Sequence, residues 1–431
     1  MLFGMSPLVA LIPLILYIIF AFKDINPILN VLICVILTAI FTNQPLLSMG
    51  AVIGESLGSF LGLIGFIIML GSALGAILKK TGVAENIVIA VMKKIGINTE
   101  TKAIIATMLT SMILCALLGT LAGANAIIAP IVIPLVAAIG ITPSSLAAVF
   151  MGAGLTGLFI GPFSPQVVTI MGLTGLSYGD YLISAGIPVT LVCLLVTYFM
   201  SKRIQKSTKG VYAYDNTENV SIEKEITKEA KNATWAFLIT IVVFVAYGIY
   251  SKSGASYAVV VIFVAAIVTG LVARLSLNEI FETLVDGASR MVWLFIMFVL
   301  FTPFITFIEE SGAFNELVNI LEPLLSTGNK IVFSMVSAFT GIFGIGGAAV
   351  AQSVVMDKMF GGFVRELAIS PGLWAMIILI GSQITSFAYP EADMLGQMGL
   401  ARSKDLKNMV KFGITVVIAN LLLVLVRSFM G

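Results

Sequence analysis

The chain has 431 residues, of which 59% are hydrophobic and only 11% are charged, and its formal net charge is +2. Soluble domains carry roughly 25% charged residues to keep their surface hydrated, so this composition predicts an all-α protein that crosses a membrane several times. The small net charge excludes a basic nucleic-acid-binding surface. The absence of histidine excludes any metal site, proton shuttle or catalytic triad that needs an imidazole.

Apolar runs that could form membrane helices follow one another along the first 201 residues. A helix needs about 20 apolar residues to cross a bilayer. The first run lacks a basic flank and an A-x-A-like cleavage site, so we interpret it as a retained span and not as a signal peptide. The candidates in this half are Met5–Phe22, Pro27–Thr42, Leu57–Ile77, Lys102–Ala122, Pro130–Gly140, Pro143–Gly161 and Tyr181–Met200.

A strongly polar stretch then separates the two halves of the chain. Residues 202–233 hold twelve charged side chains, whereas the flanking runs hold very few. We interpret residues 202–233 as a cytoplasmic linker between an N-terminal membrane repeat, residues 1–201, and a C-terminal membrane repeat, residues 234–431. Part of the linker, Ser221–Lys231, could form a short solvated helix.

The apolar pattern resumes after the linker. The candidate spans of this half are Trp235–Tyr250, Tyr257–Val272, Met291–Ile308, Ile331–Val355, Pro371–Ala388 and Met409–Met430. Five features occur in the same order in each half. The first is a span that ends in two charged residues followed closely by a glycine, and the second is an amphipathic stretch. A glycine-rich break, an interrupted span that begins at a proline, and an aspartate before the final span follow. The paired segments are Lys79–Gly82 with Glu309–Gly312, Val83–Ile95 with Ala313–Leu325, Gly119–Asn125 with Gly341–Gly347, Gly161–Pro165 with Thr385–Pro390, and Asp180 with Asp405.

Charge predicts that the two halves have opposite orientations. Lysines flank the first amphipathic stretch and glutamates flank the second, so the positive-inside rule places the first in the cytoplasm and the second outside. If each glycine-rich break is the tip of a re-entrant hairpin, each half crosses the membrane five times. The predicted fold is therefore two inverted repeats of about five transmembrane helices, each with a re-entrant hairpin and a broken helix.

Paired breaks of this kind indicate a transporter. Interrupted helices expose unpaired backbone groups, which persist in a bilayer only where they line a polar cavity or are buried in protein. Matching breaks in inverted repeats are typical of the central binding site of a secondary carrier.

The order of spans and breaks in three segments of the chain resembles that of the ion transporter superfamily of secondary carriers. The segments are Gly119–Pro130, Pro143–Gly175 and Gly341–Leu400. That group includes divalent-anion/sodium symporters, citrate, gluconate and dicarboxylate permeases, and the sodium/proton antiporter C family. The resemblance implies a membrane-embedded carrier, a homodimer in many members, that holds substrate between two hairpin tips and two broken helices and moves like an elevator. The chain departs from the symporters in lacking a Ser-Asn-Thr-type triplet at each hairpin tip.

Polar side chains at the breaks are the candidate residues for binding substrate or ion. The two carboxylates among them, Glu391 and Asp393, could bind Na⁺ or take up a proton, or cap the helix that follows Pro390. We expect a Na⁺ ion near Asn125 and Ser386, and no cofactor beyond a coupling Na⁺ or H⁺. The full set is Thr120, Asn125, Ser164, Gln166, Thr169, Ser382, Gln383, Thr385, Ser386, Glu391 and Asp393.

The sequence thus predicts a cation-coupled secondary transporter of a small organic acid or amino acid, multi-pass in a bacterial cell membrane. A Na⁺/H⁺ antiporter without an organic substrate and a passive channel remain open alternatives. The chain has no GxxxxGK[ST] loop and no clustered catalytic set, so we expect neither ATP-driven transport nor an enzyme. Its expected partners are the solute or ion, the lipid bilayer and a second copy of the chain, and not nucleic acid.

Overall fold

The computed structural model describes residues 4, 6–21, 23, 25–45, 49–214, 226–254, 256–316, 319–320, 329–344 and 349–430. Every regular element in these ranges is helical. Seven of the described helices are long and apolar enough to cross a membrane, and shorter apolar helices pack between them. The prediction of an all-α, multi-pass membrane protein is confirmed.

The first half consists of α1 to α11. Their bounds are α1 Ile12–Ala21, α2 Pro27–Thr42, α3 Met49–Ser56, α4 Phe60–Lys80, α5 Val83–Ile95, α6 Glu100–Leu118, α7 Leu121–Ala137, α8 Pro143–Ile160, α9 Pro165–Thr174, α10 Tyr178–Tyr181 and α11 Ile187–Thr208.

The second half consists of α12 to α21. Their bounds are α12 Lys228–Tyr250, α13 Tyr257–Val272, α14 Leu277–Ser289, α15 Val292–Glu310, α16 Lys330–Ile342, α17 Ala349–Glu366, α18 Pro371–Gln383, α19 Thr385–Ala388, α20 Ala392–Leu400 and α21 Leu406–Met430.

A helical hairpin forms in the first half, because the chain reverses at Gly119 and Thr120. Gly119 ends α6 in the left-handed region, with a φ of +64°, which glycine adopts without steric cost. Thr120 then caps α7, its side chain accepting a hydrogen bond from the Gly123 N–H. The helices α6 and α7 pack on each other and are called the first hairpin. The predicted span Lys102–Ala122 is therefore wrong at its end.

Two prolines lie inside α7, and the prediction of a separate span over Pro130–Gly140 is wrong. The helix runs without interruption from Leu121 to Ala137, through Pro130 and Pro134. A proline removes one backbone hydrogen bond and usually kinks or breaks a helix in water. Membrane helices tolerate it because neighbouring helices compensate for the freed backbone groups.

A second hairpin, α16 with α17, occupies the corresponding place in the second half. The predicted span Ile331–Val355 is wrong in its continuity, because α16 ends at Ile342 and α17 begins at Ala349. Most of the glycine-rich segment between them, residues 345–348, lies outside the described residues. Helices α8 and α9 form the first broken helix, and α18 to α20 form the second broken helix.

Helices extend into both ends of the predicted linker. Helix α11 continues to Thr208, and α12 already begins at Lys228. Residues 215–225, which include the first five residues of the predicted solvated helix Ser221–Lys231, lie outside the described residues. So does most of the predicted amphipathic stretch Ala313–Leu325.

Contacts between the two halves are reciprocal: where a helix of the first half packs on a helix of the second, their counterparts also pack on each other. Helix α2 packs on α15, and its counterpart α13 packs on α4. Likewise α7 packs on α20, and its counterpart α17 packs on α9. Helix α4 packs directly on α15, and α11 packs on α21. Such reciprocal contacts are typical of two units related by an approximate two-fold axis. The inversion of the repeats across the membrane stays a prediction.

Candidate functional site

The two hairpins and the two broken helices meet around one cavity of about 530 Å³, which we call the central cavity. The tip of the first hairpin contributes Gly119–Ala122, and the start of α17 contributes Ala349–Ala351. The interruptions of the two broken helices supply four polar side chains, Gln166, Gln383, Ser386 and Asp393, together with Pro165 and Ala392. Among the described residues that line the cavity, Asp393 is the only acidic or basic one.

Five of the predicted site residues therefore line the central cavity, and six do not. The five are Thr120, Gln166, Gln383, Ser386 and Asp393. The other six lie behind the wall or beside it: Asn125, Ser164, Thr169, Ser382, Thr385 and Glu391.

Gln166 joins the two halves of the molecule at the cavity. Its Nε2 donates hydrogen bonds of 2.6 Å to the hydroxyl of Ser353 in the second hairpin and to that of Ser382 in the second broken helix. Its Oε1 is buried and has no hydrogen-bond partner in the described structure. The amide is thus held in place by its nitrogen, while its oxygen keeps an unused capacity to accept a hydrogen bond.

Asn125 makes the equivalent connection from the first hairpin, but inside the protein. Its Nδ2 donates to the Gln397 Oε1 at 2.7 Å and to the Phe150 carbonyl at 3.0 Å. Its Oδ1 accepts from the Ser111 hydroxyl at 2.7 Å. Asn125 is completely buried, and both of its amide donors and its acceptor are used. The geometry supports packing between hairpin and broken helix more than contact with substrate.

Three polar side chains are arranged at the interruption of the second broken helix. The Ser386 hydroxyl donates to the Asp393 Oδ2 at 3.1 Å, and both residues line the central cavity. Glu391 is the N-cap of α20, and its Oε1 accepts from the Asp393 N–H at 3.2 Å. Its other oxygen, Oε2, is buried and has no hydrogen-bond partner. The two carboxylates have different positions: Asp393 faces the cavity, and Glu391 caps the helix.

The remaining predicted residues satisfy nearby backbone groups, with one exception. The Thr169 hydroxyl donates to the Pro165 carbonyl and the Ser382 hydroxyl to the Ile378 carbonyl. The Thr385 hydroxyl donates across to the Gly341 carbonyl in the second hairpin at 3.3 Å. The exception is Ser164, whose buried hydroxyl has no hydrogen-bond partner in the described structure.

Residues that the sequence analysis missed come from the helices around this unit. Tyr17, Asn30, Trp293, Met297 and Phe298 complete the wall of the central cavity. They lie in apolar spans that have no glycine-rich break, so no local pattern distinguishes them. Gln352 and Gln397, which were not among the candidates, also connect hairpins to broken helices: Gln352 donates to the Gly381 carbonyl at 2.6 Å.

A larger cavity, of about 840 Å³, lies against the outer surface of the first hairpin; we call it the vestibule. Thr120, Ala122 and Met291 line both the vestibule and the central cavity, so the two spaces adjoin. The vestibule is also lined by Lys79 and Arg290, which lie at the lysine-rich end of the molecule.

The comparisons with known proteins agree with a transporter. The model of the family "Tripartite ATP-independent periplasmic transporter, DctM component" matches residues 9–429. No curated protein matches the chain. The YdaH transporter of Alcanivorax borkumensis is similar in structure, with 14% identity, 90% of each chain covered and a TM-score of 0.60.

A second similar structure is MtrF of Neisseria gonorrhoeae, which is described among a class of antimetabolite efflux pumps. It is 16% identical, with 90% of this chain and 85% of that chain covered and a TM-score of 0.57. At these identities the likeness shows the fold alone.

The family match corrects the narrower part of the predicted resemblance. It supports a secondary transporter, but not the citrate and gluconate permeases or the sodium/proton antiporter C family. The family is one of integral membrane transport components, so the chain is not an enzyme and is a multi-pass membrane protein. Because the match covers nearly the whole sequence, the chain belongs to the DctM family of tripartite ATP-independent periplasmic transporters.

Proposed function

We propose that the chain carries a small organic acid or amino acid across the membrane by alternating access, coupled to Na⁺ or H⁺. The observation that carries this proposal is the meeting of two hairpins and two broken helices at one cavity of about 530 Å³. Broken helices present N–H groups and helix dipoles to anionic parts of a substrate, and unwound carbonyls to a cation.

Oxygen atoms near the breaks support cation coupling. Asp393 and Ser386 offer a carboxylate and a hydroxyl on the cavity wall. At the first broken helix, a Cβ built on Gly161 would lie 2.5 Å from the Ala116 carbonyl oxygen and 2.6 Å from the Ser164 Oγ. Both oxygens thus lie beside Gly161, and the Ser164 hydroxyl has no described hydrogen-bond partner. Hard cations are bound by such sets of carbonyl, hydroxyl and carboxylate oxygens.

The size and lining of the central cavity favour an organic solute over ion exchange alone. Trp293, Met297 and Phe298 form an apolar side opposite the polar breaks. Small-molecule sites combine apolar walls with a few placed polar groups and begin at volumes of about 300 Å³. A site for Na⁺ and H⁺ alone would need neither this volume nor these aromatic surfaces, so the antiporter without an organic substrate is the second candidate.

The family description implies that the chain does not work alone. A tripartite, periplasmic system has two components besides this one. We propose that the chain is the membrane-embedded transport path of such a system and receives its solute from the outer side.

Uptake in proteoliposomes that contain the complete three-component system tests the proposal. Accumulation of a radiolabelled acid or amino acid should require an inward gradient of Na⁺ or H⁺, and Asp393→Asn should abolish that requirement or the uptake itself. Asp180→Asn is the matched control, because Asp180 is exposed and lies outside the central cavity. Uptake that ignores both gradients would contradict cation coupling.

The antiporter alternative has its own measurement. A Na⁺ gradient is applied to proteoliposomes without organic solute, and an internal pH dye is read. Proton movement under these conditions would favour the antiporter, whereas a silent dye together with gradient-driven uptake supports the carrier.

A further inference from the structure

The vestibule offers a route out of the central cavity. The two spaces adjoin at Thr120, Ala122 and Met291, and the vestibule opens at the end of the molecule that the positive-inside rule places in the cytoplasm. The first turns of α7 contribute the small, exposed residues Ala122, Gly123 and Ala126 to this wall, and the later turns contribute larger apolar residues such as Ile131 and Leu135. A solute released from the central cavity would therefore meet small side chains first along this face.

Two basic residues lie on the opposite wall of the vestibule. Lys79 is in the last turn of α4, and Arg290 immediately follows α14. Both are exposed, and neither side chain forms an ion pair or hydrogen bond with a residue that the structure describes. Glu85 is the one acidic side chain in this lining.

The charges of the two spaces are opposite. Asp393 is the only described charge that lines the central cavity, whereas the vestibule has two cations and one acid. A cleft with low-dielectric walls concentrates the field of the charges that line it and raises the local concentration of counter-ions. The first turn of α7, with Ala122 and Gly123 in the vestibule wall, adds the positive end of a helix dipole.

We propose that Lys79 and Arg290 form a binding subsite for the anionic group of the transported solute, on its path from the central cavity to the cytoplasm. The inference rests on the proposed function in two respects, namely that the solute is an organic anion and that its transport is coupled to cations. Coupling cations would offset the charge of Asp393 while the solute is bound centrally. Once they leave, Asp393 repels the anion, and the two basic side chains attract it toward the exit.

Lys80 provides a matched control for the neighbouring Lys79. The Lys80 Nζ donates a hydrogen bond to the Thr283 hydroxyl at 3.0 Å, and Lys80 does not line the vestibule. Removal of either lysine changes the net charge by the same amount and at nearly the same place in the sequence. Only Lys79 should affect an anion inside the vestibule.

A single cysteine at Ala126 can report the local potential. The native thiols, Cys34, Cys115 and Cys193, are buried and are replaced by alanine in the full-length protein. Labelling rates of Ala126→Cys are measured with a sulfonate-bearing and a trimethylammonium-bearing methanethiosulfonate. We expect Lys79→Gln and Arg290→Gln each to lower the anion-to-cation rate ratio about threefold to tenfold, and Lys80→Gln to leave it unchanged.

Protection from labelling tests binding itself. Succinate should slow the neutral methyl methanethiosulfonate at this cysteine, whereas the uncharged succinamide should not, and Lys79→Gln with Arg290→Gln should remove the protection. An unchanged rate ratio in both single variants, no protection in the parent protein, or protection that survives the double variant would each overturn the subsite. None of these outcomes depends on cation-driven uptake, so the subsite and the proposed function can fail separately.

Discussion

Single amide side chains connect the two halves of this molecule. Gln166 binds hydroxyls of the second hairpin and second broken helix, and Asn125 binds Gln397 from the opposite half. The sequence identified both amides as polar residues at breaks and expected both to contact solute. The structure separates them, because Gln166 lines the cavity and its oxygen has no described partner, whereas Asn125 does not line the cavity and both its amide nitrogen and its oxygen are hydrogen-bonded inside the protein.

Asn125→Ala should therefore lower stability. The change removes three hydrogen bonds and leaves the Ser111 hydroxyl and the Gln397 amide buried without this partner. A buried polar group that loses its partner costs about 1–3 kcal/mol, which thermal unfolding of the detergent-solubilised protein would detect. Thr110→Val is the control, because the buried Thr110 hydroxyl only donates to the Ala106 carbonyl of its own helix. Equal melting temperatures for the two variants would refute the bridging role.

The first hairpin packs against the first broken helix through close backbone contact between the helices α6 and α8. Helix α6 approaches α8 at glycines, and a Cβ on Gly157 would lie 2.3 Å from the Met112 carbonyl oxygen and 2.8 Å from the Ala116 nitrogen. Small residues allow membrane helices to pack this closely, since close van der Waals contact replaces the hydrophobic drive that is absent in lipid.

Gly157→Ala should push α6 and α8 apart. Overpacking of a tight interface costs about 1–3 kcal/mol, so the melting temperature should fall. Gly396→Ala in α20 is the matched substitution, because no atom lies within 4 Å of a Cβ built there. The same change at that position should be neutral, or stabilising by about 0.4–1 kcal/mol. A Gly157 variant as stable as the Gly396 variant would show that the helices are not in backbone contact.

The second hairpin is joined to a surrounding helix by an ion pair. The Lys358 Nζ in α17 lies 2.8 Å and 3.0 Å from the two carboxylate oxygens of Glu309, which lies at the end of α15. Glu309 corresponds in the repeat to Lys79, which lines the open vestibule. The vestibule is thus open beside the first hairpin, whereas the corresponding residue beside the second hairpin is ion-paired.

Loss of the Lys358–Glu309 pair should favour opening beside the second hairpin. The reporter is Val350→Cys, on the central cavity wall, in the cysteine-free background, and it is labelled with an impermeant maleimide added from outside. Glu309→Gln should raise the labelling rate about twofold to fivefold, the range expected for loss of a partly exposed ion pair. The reversed pair, Glu309→Lys with Lys358→Glu, should restore the slow rate. Glu229→Gln, which breaks the exposed pair with Arg274, should have no effect. Labelling unaffected by Glu309→Gln would contradict the closing role.

Helices of each half pack on helices of the other half throughout the molecule. Because α2 of the first half packs on α15 of the second, and α13 of the second half packs on α4 of the first, neither half could bury its apolar faces alone in the same way. Each half also has a hairpin and a broken helix at the centre, so the central cavity needs both halves. Inversion of the repeats would place the two hairpin tips on opposite sides of that cavity.

The inverted arrangement predicts opposite accessibility for two exposed positions. Lys93 lies on α5, and Asn315 follows the acidic end of α15; both side chains are exposed. In the cysteine-free background, an impermeant maleimide added to intact cells should label Asn315→Cys and not Lys93→Cys. Inside-out vesicles should show the reverse. Labelling of both positions from the same side would refute the inversion.

The sequence by itself determined the membrane class and several of the places where helices break. These properties follow from local chemistry, since apolar run length, glycine and proline act on the backbone where they stand. Only the tertiary structure decided that α7 continues through Pro130, that Asp393 faces the cavity while Glu391 caps a helix, and that Asn125 lies away from the wall. Those outcomes depend on which distant segments supply hydrogen-bond partners, and residues hundreds of positions apart, such as Asn125 and Gln397, carry no local sign of their contact.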